Sequence, residues 1–250
     1  MSRGSLAGLR ILLTRPEGEG ADDWAAAFER AGALAIPFPT VSIIAPESWL
    51  ALDAAIERLD SYGWVVFTSQ TAVGFFAGRL PSGQFGSDLH AKIAAVGNST
   101  ARSIEQLGGK VALVPTDNRQ EGLAKELGVL PAGTRVLLPM AEGGRTLLAE
   151  TLQTQRCMVD VVTVYRTHAT VNLPNPPAFD VAVFASPSAL RAFVTGLGTS
   201  MLVGKTVAVI GPTTAKEAID HGLRAAVAPS PSVDGLVRAI SQSHPNLGGT

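Results

Sequence analysis

Cysteine is nearly missing from this sequence: Cys157 is the only one in 250 residues. A single thiol closes no internal disulfide and no ligand run surrounds it, so a reducing, cytoplasmic setting and no metal are expected. An excess of charge of one sign is missing too. Twenty basic residues face 21 acidic ones, a formal net charge of −1, which leaves no surplus to neutralise phosphates and no nucleic-acid partner in prospect. No apolar run approaches the roughly 18 residues of a membrane span, and the stretch before Arg15 is too short for a signal-peptide core. A membrane partner is therefore not expected. Nucleotide fingerprints are lacking: neither GxGxxG after a strand nor a P-loop occurs, and no cofactor is implied. His90, His168, His221 and His244 are scattered without metal-ligand spacing. Ser69 and Ser186 stand at strand ends without a GxSxG elbow.

What is present is core. With 46% hydrophobic and 16% charged residues, the chain buries a large interior and disorder is excluded. Strand and helix patterns alternate along its length, the signature of parallel sheets covered on both faces. Ten strands are expected: RILLT (10–14), LAIPF (34–38), WVVFT (64–68), KIAAV (92–96), VALV (111–114), RVLLP (135–139), VDVVTV (159–164), VAVFA (181–185), TVAVI (206–210) and AAVA (225–228). Helical stretches lie between them. In ADDWAAAFERAG, residues Trp24, Ala27, Phe28 and Ala31 share a face and Gly32 suits a left-handed cap, a device repeated at Gly108 and Gly222.

A weak repeat runs through the chain. Ile93 matches Val207 at an offset of 114 residues, Phe67 matches Phe184 at 117, and Arg10 matches Arg135 at 125. Three blocks in the same order indicate duplication, with five strands per half, which suits two small doubly wound domains of the flavodoxin type. Two segments break the pattern and read as inter-domain crossings: PFPTVSI (37–43) and VVTVYRT (161–167). The proline-rich NLPNPPAF (172–179) after the second is a stiff connector.

Four turns stand where a strand gives way to a helix: FTSQTAV, VGNSTA, FASPSAL and IGPTTA. Small and hydroxyl residues there are ordinary N-caps when taken singly. Four together, two per half, place anion-accepting helix starts beyond the carboxyl ends of parallel strands, where ligands bind in such folds. A polycarboxylate held in a cleft of two facing lobes fits these turns better than a nucleotide. Arg15 and Arg145 are candidate carboxylate partners, although an arginine near a loop is often only solvated. Tyr165, one of two tyrosines, lies on the second crossing. Its hydroxyl suits a cleft, and packing of a strand aromatic is an equal alternative.

TRP near the N-terminus, FTSQTAV, VGNSTA, GGR before a helix, VVTVYRT, FASPSAL and IGPTTA, in this order and spacing, resemble the uroporphyrinogen-III synthase family along essentially the whole chain. The resemblance implies an α/β fold of two flavodoxin-like doubly wound parallel-sheet domains joined by a two-stranded β-ladder. It divides the chain into residues 1–36 with 168–250, an inserted domain at 44–160, and linker strands at 37–43 and 161–167. The implied activity is closure of hydroxymethylbilane to uroporphyrinogen III, with loss of water and inversion of ring D, in tetrapyrrole (haem) biosynthesis without a cofactor. The substrate is a linear tetrapyrrole with eight carboxylates. A near-neutral protein can meet these with backbone amides and hydroxyls at helix starts. Carried over position by position, substrate contacts fall on Thr68, Ser69, Thr100, Ser186, Thr213 and Thr214, beside Arg15 and Arg145. The catalytic acid falls on Tyr165; a phenol, with a reference pKa of about 10, is protonated at neutral pH and can donate to a departing hydroxyl. Where many relatives carry Arg-Gly, this chain has Met140 and Ala141. A monomer is expected, with transient contact to the preceding enzyme of the pathway. From another class of function, the alternative is a non-catalytic two-lobed receptor for a tetrapyrrole or other polycarboxylate.

Overall fold

The structure, a computed structural model, describes residues 5–16, 21–86 and 89–244. In chain order its elements begin with β1 (Arg10–Leu13), α1 (Ala21–Arg30), β2 (Leu34–Pro37), β3 (Val41–Ile44), α2 (Leu50–Glu57), β4 (Trp64–Phe67), α3 (Gln70–Ala77), β5 (Lys92–Ala95), α4 (Asn98–Gln106) and β6 (Val111–Leu113). They continue with α5 (Gln120–Leu127), β7 (Arg135–Ala141), α6 (Leu147–Thr154), β8 (Met158–Ala169), β9 (Val181–Phe184), α7 (Pro187–Leu197), β10 (Thr206–Val209), α8 (Pro212–Asp220), β11 (Ala225–Val227) and α9 (Val233–Ser243). Gly32, Gly108 and Gly222 adopt φ of +91°, +81° and +72°, the left-handed conformation expected where each helix turns into the next strand.

All ten expected strands form, and β3 is an eleventh. PFPTVSI is not one crossing strand. Pro37 closes β2 opposite Leu13, and Pro39 has no N–H to continue a ladder. Thr40 is then pinned, its hydroxyl donating to the carbonyls of Ala189 (2.9 Å) and Thr14 (3.3 Å), before Val41 opens β3. VVTVYRT is not a separate strand either. It merges with VDVVTV into the twelve residues of β8, because the β-branched run has no breaker before Thr170.

The chain divides into two compact units, residues 1–43 with 167–250 and residues 44–166. The first holds a parallel sheet in the order β2-β1-β9-β10-β11. Numbered within the unit this is 2-1-3-4-5, the flavodoxin order. The second sheet runs β3-β8-β7-β4-β5-β6, so the expected two sheets of five strands become five and six, with Val41–Ile43 of β3 and Thr167–Ala169 of β8 belonging to the first unit. Setting β3 aside, its order is the same once β7 and β8 are counted first. The repeated blocks account for this: β1 matches β7, β9 matches β4 and β10 matches β5. Each unit therefore takes one matched strand from one half of the chain and two from the other. Residues 17–20, which close the first repeated block, lie outside the described residues.

Alternation along each strand feeds two cores per unit. Leu12, Ala182, Phe184, Val207 and Val209 pack with Leu190 and Phe193 of α7, while Ile11, Leu13, Val181 and Val183 pack with Phe28 of α1 and Leu236 and Ile240 of α9. In the second unit Val65, Phe67 and Ile93 join α2, α3 and α4, and Val66, Ala94, Val136 and Leu138 join α5 and α6. With each large buried side chain worth about 1.5–3 kcal/mol, neither sheet face can be uncovered cheaply. The result fixes the strands' carboxyl ends as the place where turns are free to vary.

Candidate functional site

The four turns fall into two kinds. Ser69 and Ser186 are N-caps of α3 and α7, with nearly identical backbones (φ −155°, ψ 150° and φ −155°, ψ 156°). Each hydroxyl accepts the amide of the third helical residue, Ala72 at 3.1 Å and Ala189 at 3.2 Å. Gly97 and Gly211 precede α4 and α8 and supply no side-chain cap. The first amides of α4, and those of α8 that follow Pro212, thus keep no side-chain cap, and the positive end of each helix dipole remains available to an anion.

In the second unit, Tyr165 meets the start of α3. A register shift opposite Met140 and Ala141 gives β8 one residue more than β7 at that point, and Tyr165 follows it. Such a bulge re-aims a side chain near a site. The phenol ring stacks on Phe75, with centroids 6.0 Å apart and planes 13° apart, and its hydroxyl shares a long hydrogen bond of 3.3 Å with Ser69 Oγ. Tyr165 therefore packs and also presents its hydroxyl beside a helix N-terminus. Beside the same strand end, Val66, Thr68, Gln120, Leu138, Met140, Arg145 and their neighbours line a shallow hollow. It lies where β4 and β7 adjoin and their connections diverge, the topological switch point of this sheet.

Two expected contacts need correction, and a third is engaged in an ion pair. Thr100 and Thr214 occupy the third position of α4 and α8 and are only 3% and 2% exposed, because that position turns toward the sheet. Asn98, Ser99, Pro212 and Thr213 are the exposed residues at these helix starts. Arg145 is no free cation: its Nη2 donates to Glu121 Oε1 at 2.6 Å, and the guanidinium holds that carboxyl below the usual carboxylate range. Both partners are exposed, so a polycarboxylate competes for Arg145 at little cost.

The first unit brings Arg15, Ser186 and Thr213 to the carboxyl ends of β1, β9 and β10. Thr14 ties this corner, its N–H and hydroxyl both donating to Val183 O at 3.3 and 2.8 Å. Arg15 lies 4.7 Å over the Trp24 ring, and burial lowers its pKa against a weaker opposing pull from Asp23. Trp24 and Phe75 were not foreseen as site residues. The pair Phe75-Phe76 carried a signal, since adjacent helical residues cannot both face one core: Phe76 is buried and Phe75 is left for Tyr165. Among the described residues no group of three or more His, Cys, Asp or Glu is placed to hold a metal ion, and no helix is long and apolar enough to cross a membrane.

The chain thus folds into two doubly wound α/β units that carry hydroxyls, uncapped amides and arginines at their strand ends. A family model described as uroporphyrinogen-III synthase HemD matches residues 22–238. The chain is 32% identical to uroporphyrinogen-III synthase of Synechococcus elongatus, over 97% of this chain and 98% of that one. Its fold is similar to the synthase structures from Helicobacter pylori (TM-score 0.63, 18% identity, 94% and 99% coverage) and Thermus thermophilus (TM-score 0.61, 14% identity, 95% and 99%). The chain belongs to the uroporphyrinogen-III synthase family.

Proposed function

We propose that this chain is a cyclising, dehydrating lyase that closes hydroxymethylbilane to uroporphyrinogen III, inverting ring D, in tetrapyrrole biosynthesis. The observation that carries the reading is its 32% identity to a synthase along 97% of its length. Nothing in the fold or the comparisons favours the receptor alternative.

The linear substrate closes by itself to the uninverted type I isomer, so the protein's work is positioning and proton transfer. Tyr165 donates its phenolic proton to the departing hydroxyl, which leaves as water. The substituted carbon of ring D then attacks the methylene cation left on ring A, giving a spiro intermediate. That carbon's bond to the bridge from ring C breaks, the bridge rebonds at the free carbon on the other side of the ring D nitrogen, and the proton displaced there returns to the Tyr165 phenolate. Ser69 holds the phenol from the start of α3 and Phe75 fixes its plane. Substrate carboxylates are taken by Arg15, Ser186 and Thr213 in the first unit and by Thr68, Ser69, Arg145 and the uncapped start of α4 in the second, each set supplying its own acceptors. Thr100 and Thr214 support these starts from beneath. The reading carries with it a cytoplasmic monomer, met transiently by the enzyme that makes the unstable substrate.

A catalyst differs from a receptor in turnover. Freshly prepared hydroxymethylbilane, supplied in large molar excess over the chain, is expected to emerge as type III isomer in amounts far above the protein present. Type I product alone, or type III no more than stoichiometric with the chain, overturns the proposal.

A further inference from the structure

Eight arginines of the described chain form ion pairs with carboxylates. Of those that do not, Arg30, Arg102, Arg156, Arg224 and Arg238 are exposed to water, whereas Arg15 is half-buried. Its Nε is buried and meets no hydrogen-bond acceptor. Arg135 shares that last feature, but its guanidinium is paired with Asp160. Withdrawing a cation from water is costly; Asp23 forms no ion pair with Arg15 and offsets that cost only weakly, and such a group is retained only where something repays the rest. Trp24 repays part of it, offering its ring face 4.7 Å from the guanidinium carbon.

The position of Arg15 says what repays the rest. It leaves β1 two residues beyond Leu13, at the carboxyl end of the sheet. There β1 pairs with β9, and the two strands' connections diverge, β1 toward β2 and β9 toward β10. Ligands of open α/β sheets bind at this divergence. The repeat adds an independent observation: at the offset of 125 that matches Arg10 with Arg135, Arg15 falls on Met140, which is buried beside the hollow of the second unit. The same place in two matched sheets therefore holds an unpaired cation in one and a thioether in the other.

We propose that Arg15, held flat against Trp24, is the carboxylate receptor of the first unit, and that Trp24 is the residue that positions it. The planar guanidinium can present two parallel N–H donors to one carboxylate while its face stays on the indole. The proposal rests on the synthase reading only for the identity of the carboxylate, a side arm of the tetrapyrrole.

The test compares Arg15→Met, Trp24→Leu and Trp24→Phe with the wild type in steady-state kinetics and thermal unfolding. Arg15→Met is expected to raise KM roughly 10- to 100-fold, the range for a lost charge-assisted hydrogen bond, with kcat little changed. Its thermal midpoint should equal or exceed that of wild type, since an apolar side chain replaces a half-buried cation that forms no ion pair. Trp24→Leu should raise KM by about 3- to 10-fold, and Trp24→Phe, which keeps an aromatic face, should restore most of it. An unchanged KM in Arg15→Met overturns the proposal. A raised KM accompanied by a clear fall in the midpoint of Arg15→Met assigns Arg15 to the fold and overturns it equally. Should the wild type form no type III isomer, the synthase reading fails and calorimetric titration with mellitate, a compact aromatic polycarboxylate, decides the receptor separately. Saturable binding that weakens in Arg15→Met supports it, and equal binding or none refutes it.

Discussion

Replacing Tyr165 by Phe separates the two contributions of one side chain. The stack on Phe75 survives, so the thermal midpoint is expected to stay within about a degree of wild type, while the donor to the leaving hydroxyl is lost. General acid assistance is worth about 10² to 10⁴ in rate, and a substrate that closes unaided should hold the loss near 10²-fold in kcat. Wild-type turnover at saturating substrate would reduce Tyr165 to a packing residue. The residue scale is also where the sequence was least legible. A hydroxyl one position further along a helix start reads the same in a string of letters, yet Thr213 is exposed and Thr214 is 2% exposed. The pairing of Arg145 with Glu121 was out of reach, because their 24-residue separation closes only when α5 and α6 pack side by side. Tyr165 was legible by rarity, and its partner Ser69 by its place in a turn.

Apart from β3 and β8, the strands were legible to within two residues at each end. Each apolar run is short, ends in small or polar residues, and alternates with an amphipathic helix. What escaped was the fate of the two long runs, since a twelve-residue β8 with β3 paired beside it differs from two short crossings only in which backbone groups find partners. At the opposite end of the first sheet from the turns, the elements are tied by one carboxylate. Asp180, ahead of β9, accepts hydrogen bonds from the backbone N–H (2.9 Å), Nε (3.0 Å) and Nη2 (2.9 Å) of Arg10, the first residue of β1. That guanidinium holds the Asp180 pKa down at about 2. A carboxyl whose pKa is lower in the folded than the unfolded chain stabilises the fold above the unfolded value, near 4, and ceases to do so as pH falls through the folded one. With the side chain 32% exposed, screening trims the contribution to about 1 kcal/mol. Urea midpoints of the wild type should therefore fall between pH 4 and about pH 2 more steeply than those of Asp180→Asn, which should be less stable at neutral pH. Parallel pH profiles for the two proteins would contradict this.

At the scale of the whole molecule, duplication was legible but its assembly was not. The offsets of 114, 117 and 125 residues mark matched strands, and a reader naturally assigns one copy to each half of the chain. The sheets instead exchange strands between the halves, β1 joining β9 and β10 while β7 joins β4 and β5. Periodicity carries no record of which copy pairs with which, because every matched strand is equally apolar. The exchange leaves each unit with its own switch point, with Arg15 beside one and Arg145 beside the other. Such a molecule suits a substrate whose charge is spread around its rim and whose reactive end must be turned over before it closes. The inversion of ring D is therefore the measurement to make. With hydroxymethylbilane carrying carbon-13 in the side chains of ring D alone, nuclear magnetic resonance of the cyclic product reports their order relative to ring A. The account predicts that catalytic amounts of the chain yield product with the two ring D side chains exchanged in every labelled molecule. Product that keeps the original order, as in the unassisted closure, would contradict it.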